Sequence, residues 1–435
     1  MNFTDQLYDF ATSDEDARLC RDIPDEQCRE QPRNFLCHVA AMVLSKSGDI
    51  LADTKVVLPW LLGAVGAPSF LIGMLVPTRE SLALLPQVLI GGVIRRYPVR
   101  KGFWAASSVI EGICVLLMGL VAMAGLRGAG AGWTIVGLLV VFSLARGVAS
   151  VAAKDTLGKT ISKGRRGRVN GYAATGSGMI AAAVGLYLAF SPQPARPDWL
   201  LYAILVAAGC AWFAAAVVFS AIQEYRGATE GGRGLRDLLR DQLRPVLADR
   251  ELQKFLVSRA LMISTALISP IYVSLAQNQT GKALDGLGLL IVAAGLAGTV
   301  SATVWGSFSD KSSRLTMATA AALAGALGLM VVAAIALLPT AADSIAFYTG
   351  VLFITGIAHS GVRIGRKTHV VDLAGGERKA EYVAVSNTII GVLLLVTGAL
   401  TGFLLSLGTD IAIFALSVMA LAGAAMALTM QDVQR

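Results

Sequence analysis

Apolar residues run along this chain in long unbroken blocks separated by short polar stretches, with neither the alternation of a half-buried strand nor the narrow stripe of a surface helix. About 20 apolar residues is the length a helix needs to cross a bilayer. Twelve such spans are predicted, over 33–62, 67–95, 102–125, 133–153, 171–190, 200–222, 252–278, 284–309, 315–338, 344–364, 383–406 and 410–430. The ten-residue alternating segments of a transmembrane barrel do not occur. The expected fold class is an all-α membrane protein with twelve transmembrane helices.

Composition agrees. The 435 residues are 55% hydrophobic and 15% charged, with a mean hydropathy of +0.65, far too apolar for a soluble protein of this length. The 46 glycines suit close helix packing in lipid. The first span is the least obvious, because Lys46, Asp49, Asp53 and Lys55 interrupt it. Starting it at Val56 instead would force a turn between Pro77 and Ser81 and leave the second span too short to cross.

The halves echo each other. Gly178 and Gly185 recur as Gly391 and Gly398, an offset of 213, and Gly147-Val148 recurs as Gly361-Val362. An offset held across spans and loops points to two pseudo-symmetric six-helix bundles in parallel duplication, over 33–222 and 252–430. Residues 223–251 read as a basic amphipathic linker and 1–32 as a polar tail with no cleavable signal; 431–435 form a short C-terminal tail.

The net charge of +8 is concentrated in short loops: Arg95, Arg96, Arg100 and Lys101 in one, Lys159 to Arg168 in another, Arg366, Lys367, Arg378 and Lys379 in a third. All three fall on one side, so the positive-inside rule sets them and both termini in the cytoplasm, here of a bacterial inner membrane. This distribution orients a membrane protein and leaves no nucleic-acid role. The five cysteines have no metal or framework spacing and read as reduced thiols.

Gly306-Ser-Phe-Ser-Asp310-Lys311-Ser-Ser-Arg314 resembles the G-x-x-x-D-[RK]-x-[GS]-[RK] loop between helices 8 and 9 of major facilitator superfamily transporters. In that family the loop is a conformational latch. The matching first-half loop, with Gly91, Arg95 and Arg96, departs from the motif by having Arg95 in place of its Asp. Arg146 stands where many proton-linked members carry an Arg in helix 4. The resemblance covers about residues 33–430 and implies two bundles flanking a cavity that opens alternately to either side.

Charges inside the spans are the candidate chemistry, since a charge at the bilayer centre costs about 2.5–3.5 kcal/mol and must pair or line a hydrated cavity. On a continuous helix Lys46, Asp49 and Asp53 share one stripe, with Lys55 nearly opposite and free to snorkel. Arg79 and Glu80 fall at similar depth in the second span. Glu80 or Asp49 is the expected proton carrier, with Arg79 or Lys46 as its partner; a permanently paired cluster bracing the first two helices is the competing reading. Gln87 returns to the face of Glu80, Arg146 is placed to pair with Glu111, and His359 and Asn387 are polar candidates from the second half. Arg259 and Arg363 read as interfacial snorkelling groups.

No constellation for catalysis, metal binding or a cofactor emerges. The expected function is secondary active transport of a small polar solute, zwitterionic or anionic, coupled to protons, by a monomer in the lipid bilayer. A lipid or lysolipid flippase on the same fold, and a non-transporting sensor or assembly factor, are the alternatives.

Overall fold

The computed structural model describes residues 8, 23–85, 87–190, 199–227, 229, 246, 249–279, 284–375 and 378–434. Most of the expected tail and linker, Cys20 and Pro86 lie outside the described residues. Among these, every regular element is helical: α1 (Asp25–Leu51), α2 (Val57–Ala64), α3 (Ser69–Leu84), α4 (Gln87–Ile94), α5 (Lys101–Met123), α6 (Gly128–Thr160), α7 (Lys163–Phe190) and α8 (Trp199–Ser220) make the first half. The second half comprises α9 (Arg250–Leu261), α10 (Ser264–Gln279), α11 (Leu284–Lys311), α12 (Ser313–Leu337), α13 (Pro339–Ala342), α14 (Ile345–Ala374), α15 (Lys379–Leu407) and α16 (Thr409–Leu428).

Among the described residues, ten stretches are long and apolar enough to cross a membrane, α9 and α10 counting as one. The two remaining expected spans are each in two pieces, α1 with α2 and α3 with α4, and their charges and breaks keep them outside that criterion. The break after α1 has a local cause. Asp53 Oδ2 accepts the backbone N–H of Lys55 (2.9 Å), and the carbonyl of Asp53 accepts the N–H of Leu58 (2.9 Å), a side-chain-stabilised turn that competes with helix. Other helices outrun their apolar cores. α1 starts inside the segment expected as tail, and α14 carries Arg366 and Lys367 within the helix rather than in a loop. Cys28, in the first turn of α1, is disulfide-bonded and not the reduced thiol expected; Cys37, Cys114 and Cys210 are free.

Within the first half α5 packs on α6 and α8, and α1 on α7 and α8; within the second, α12 packs on α14 and α16. The halves meet along two equivalent seams, α3 against α15 and α7 against α11, with α10 wedged against α2 and α3. Small residues make both seams possible. A Cβ added to Gly73 would lie 2.6 Å from the backbone of Gly402, and one on Gly288 would lie 2.5 Å from Ala189 N. One repeated pair does the same thing in each half, since Gly185 seats α7 on α11 and Gly398 seats α15 on Pro77 of α3; in the other pair Gly391 lies against Leu85, while a Cβ on Gly178 would meet nothing within 4 Å.

Both seams lie toward the side opposite the basic loops. There Trp60, Leu61, Leu71, Leu75, Ile271 and Tyr272 are buried in one apolar cluster, and Gln277 Nε2 donates to the carbonyl of Trp60 (2.9 Å). Toward the basic loops α4 leaves the seam and packs on α6 of its own half. The two halves are thus joined at one face and part toward the other.

Candidate functional site

Two ion networks occupy the middle of the molecule. The first belongs to the first half. Asp49 on α1 accepts from Arg79 Nη2 of α3 (2.6 Å) on one oxygen and from Arg146 Nη2 of α6 on the other. Arg146 Nη1 also reaches Ser45 Oγ (3.1 Å) and Glu111 Oε2 of α5 (3.5 Å), and the side chain of Glu111 is fully buried. The Arg79 guanidinium lies over the ring of Phe142, 4.6 Å from its centroid. Four charges, two of each sign, so neutralise one another between four helices.

The second network crosses the molecule. Lys55, in the break between α1 and α2, reaches Glu80 Oε1 of α3 (3.6 Å) and His359 Nε2 of α14 (3.0 Å). The hydrogens have one consistent arrangement. The ammonium donates to Nε2, leaving the proton on Nδ1, which faces Thr265 Oγ1 at 3.2 Å; Thr265 in turn donates to the carbonyl of Met262 (2.9 Å). A small cavity beside this chain is lined by Glu80, Arg259, Thr265, His359, Arg366 and Ile390, among others. Arg259, buried on α9, donates to Ser386 Oγ and to Asn387 Oδ1 (2.9 Å) of α15.

Several sequence expectations change here. Asp49 and Glu80 sit in separate networks rather than one. Lys46 does not pair with Asp49; its Nζ approaches the carbonyl of Asn170 on α7 (3.5 Å). Asp53 is no part of a helical stripe, because the helix has ended at Leu51 and the carboxylate holds the turn. Lys55 turns inward for the same reason: the 100° step that aims it at lipid holds only in continuous helix. Gln87 loses register with Glu80 across the break between α3 and α4, and its Nε2 donates to Ala83 O (2.8 Å). Arg259 does not snorkel. Arg366 is hidden in the sequence by its place in an expected loop, though His359, Arg363 and Arg366 follow at i, i+4 and i+7.

Residues 254–434 match the family model described as Major Facilitator Superfamily. Nearly the whole chain superposes on solved transporters of that architecture: the nucleoside transporter NupG (TM-score 0.65, 11% identity, 91% of this chain and 100% of that one) and the inward-open xylose transporter XylE from E. coli (0.62, 10%, 91% and 95%). The second half of the chain matches the major facilitator superfamily, and the chain as a whole has that fold. A D-xylose-proton symporter is similar as well (TM-score 0.64, 13% identity, 92% and 98%). No curated protein matches by sequence alone. Identities this low show the fold alone.

The segment that resembles the superfamily's loop motif spans the end of α11 and the start of α12. Arg314 anchors it to the C-terminal segment, donating to Met430 O (2.9 Å) and facing Asp432 (3.4 Å), while Ser312 caps α12 by accepting from Leu315 N (3.4 Å). Asp310 and Lys311 are exposed. Gly306 does not serve close helix approach in this conformation, since a Cβ there would meet nothing within 4 Å; the same holds for Gly91. In the first-half loop Arg95 and Arg96 are exposed, and the working residue is Arg100, which pairs with Asp155 of α6. Glu224 completes that corner. It accepts the backbone N–H groups of Arg100 (2.8 Å) and Lys101 (2.7 Å) at the start of α5, and pairs with Lys159 (2.9 Å).

Proposed function

We propose that this protein is a secondary active transporter moving a small polar solute, zwitterionic or anionic, by alternating access of its two halves, with protons coupled through Glu80. The observation that carries the reading is the Lys55 junction, an ammonium from the first half bonded to a carboxylate of its own half and an imidazole of the other. Such a bridge responds to both proton and solute. Protonating Glu80 removes the charge opposite Lys55, loosens the junction and favours the other orientation of the halves. Asp49 is the weaker carrier, because two guanidinium groups hold both of its oxygens. Its network is the brace of the first half.

The similarity to a nucleoside transporter and to a proton–xylose symporter supports a polar solute and proton coupling. On this reading the basic loops and both termini face the cytoplasm of a bacterial inner membrane, the monomer is the working unit, and the conformation described is open inward. Purified protein in proteoliposomes tests it. A pH gradient should drive accumulation of a polar solute, and Glu80→Gln should abolish that accumulation while solute exchange persists. Unchanged gradient-driven flux in Glu80→Gln would remove Glu80 from the mechanism, and failure of wild type to move any polar solute would end the transporter reading.

A further inference from the structure

The two networks differ in charge balance. Around Asp49, two guanidinium groups meet two carboxylates. Glu80 instead lies in the field of Lys55, Arg366 and Arg363 as well as Arg79, and Arg259 lines the same cavity. Arg79 is already matched by Asp49, and Asp53 lies beside Lys55, so two carboxylates, Glu80 and Asp53, face four cations. Burying like charges together without a counter-charge is unfavourable, and the deficit is one a ligand can fill.

Its shape is also on display. Arg259 is 6% exposed, and its two terminal nitrogens are held by the neutral Ser386 and Asn387, which orient the guanidinium without neutralising it. Its Nε is buried and has no partner among the described residues. Arg366 enters the cavity from α14 and is paired with no described residue. Met262, Ile390 and Leu394 line much of the rest. A pair of guanidinium groups suits an oxyanion with two or more oxygens, and the cavity, with a volume of about 10 Å³, has room in this conformation for only the oxyanion end of a solute.

We infer that Arg259 and Arg366 form the anion-binding end of the solute site and take a carboxylate or phosphate group of the transported molecule. The inference rests on the transport reading and narrows its solute class to organic anions. Glu80, paired with Lys55, lines the same cavity, so the arriving anion and Glu80 compete for one set of cations. Protonation of Glu80 then strengthens anion binding, which makes proton and anion travel together.

The test uses the full-length protein in detergent, with benzoate, succinate and inorganic phosphate as anions and benzamide and benzamidine as the neutral and cationic counterparts of benzoate. A bound ligand raises Tm by mass action. At least one anion should raise Tm, the counterparts should not, and Arg366→Gln and Arg259→Gln should each weaken the effect about tenfold or more. Arg259→Lys, which keeps the charge and loses the fork, should be intermediate; Lys379→Gln on the exposed surface should match wild type. Equal shifts from benzamide or benzamidine, anion shifts that survive both Gln variants, or no shift from any anion would overturn the assignment. Counterflow of the same solutes in proteoliposomes separates the two readings. Flux of neutral or cationic solutes alone removes the anion site and leaves the transporter, whereas anion binding without flux leaves the site and removes the transporter.

Discussion

Lys55 Nζ and His359 Nε2 come from opposite halves of the molecule and meet at 3.0 Å. Lys55→Gln keeps a donor for His359 but leaves Glu80 without its ammonium. The side chains of Lys55 and Glu80 are 25% and 30% accessible, so their ion pair adds little to stability. Gradient-driven uptake in proteoliposomes should therefore fall about tenfold or more while Tm stays near that of wild type. A matching loss of Tm would make the junction a structural strut.

Asp49 is a different matter. Asp49→Asn leaves Arg79 and Arg146 without their shared counterion in a site that is largely withdrawn from water. Breaking a buried pair in this way costs about 3–5 kcal/mol. Thermal unfolding in detergent should show a large drop in Tm for Asp49→Asn and a smaller one for Glu111→Gln, which gives up a single contact at 3.5 Å.

Gly398 tests the seam between the halves. A Cβ there overlaps Pro77, so Gly398→Leu should wedge α15 away from α3 and populate the other orientation. Spin-label distances across the side with the basic loops should shorten. Gly306→Ala, facing open space, should leave that distance distribution unchanged.

At the other end of the first half, Glu224→Ala strips two backbone N–H groups at the start of α5 and the partner of Lys159 at once. The expected loss is about 1–3 kcal/mol. Faster hydrogen exchange at the start of α5, with the rest of that helix unchanged, would mark the effect as local; no change there would show that Arg100 and Asp155 suffice.

How much of this is legible in the residue order follows from which rules hold along a helix and which fail at its ends. The spans, the duplication and the pairing of Arg146 with Glu111 rest on apolar length, a repeated glycine offset and similar depth, all properties of continuous helix. The junction does not. Lys55, Asp53 and Gln87 stand at two breaks, and a helical wheel drawn through a break sends each side chain the wrong way. Arg366 escapes notice because four cations near a span's end read as a loop, although its spacing from His359 marks one face of α14. Arg259 reads as interfacial from its depth alone; nothing in its neighbourhood along the chain announces that Ser386 and Asn387, more than a hundred positions away, receive its guanidinium.

The closed face is joined by buried Trp60, Leu71, Ile271 and Tyr272 and by the hydrogen bond from Gln277 to a backbone carbonyl. Oil, not ions, holds that face together. On the proposed alternating access, opening it wets apolar surface, so the balance between the two postures should shift markedly on cooling, when the hydrophobic drive fades, and hardly at all with added sodium chloride.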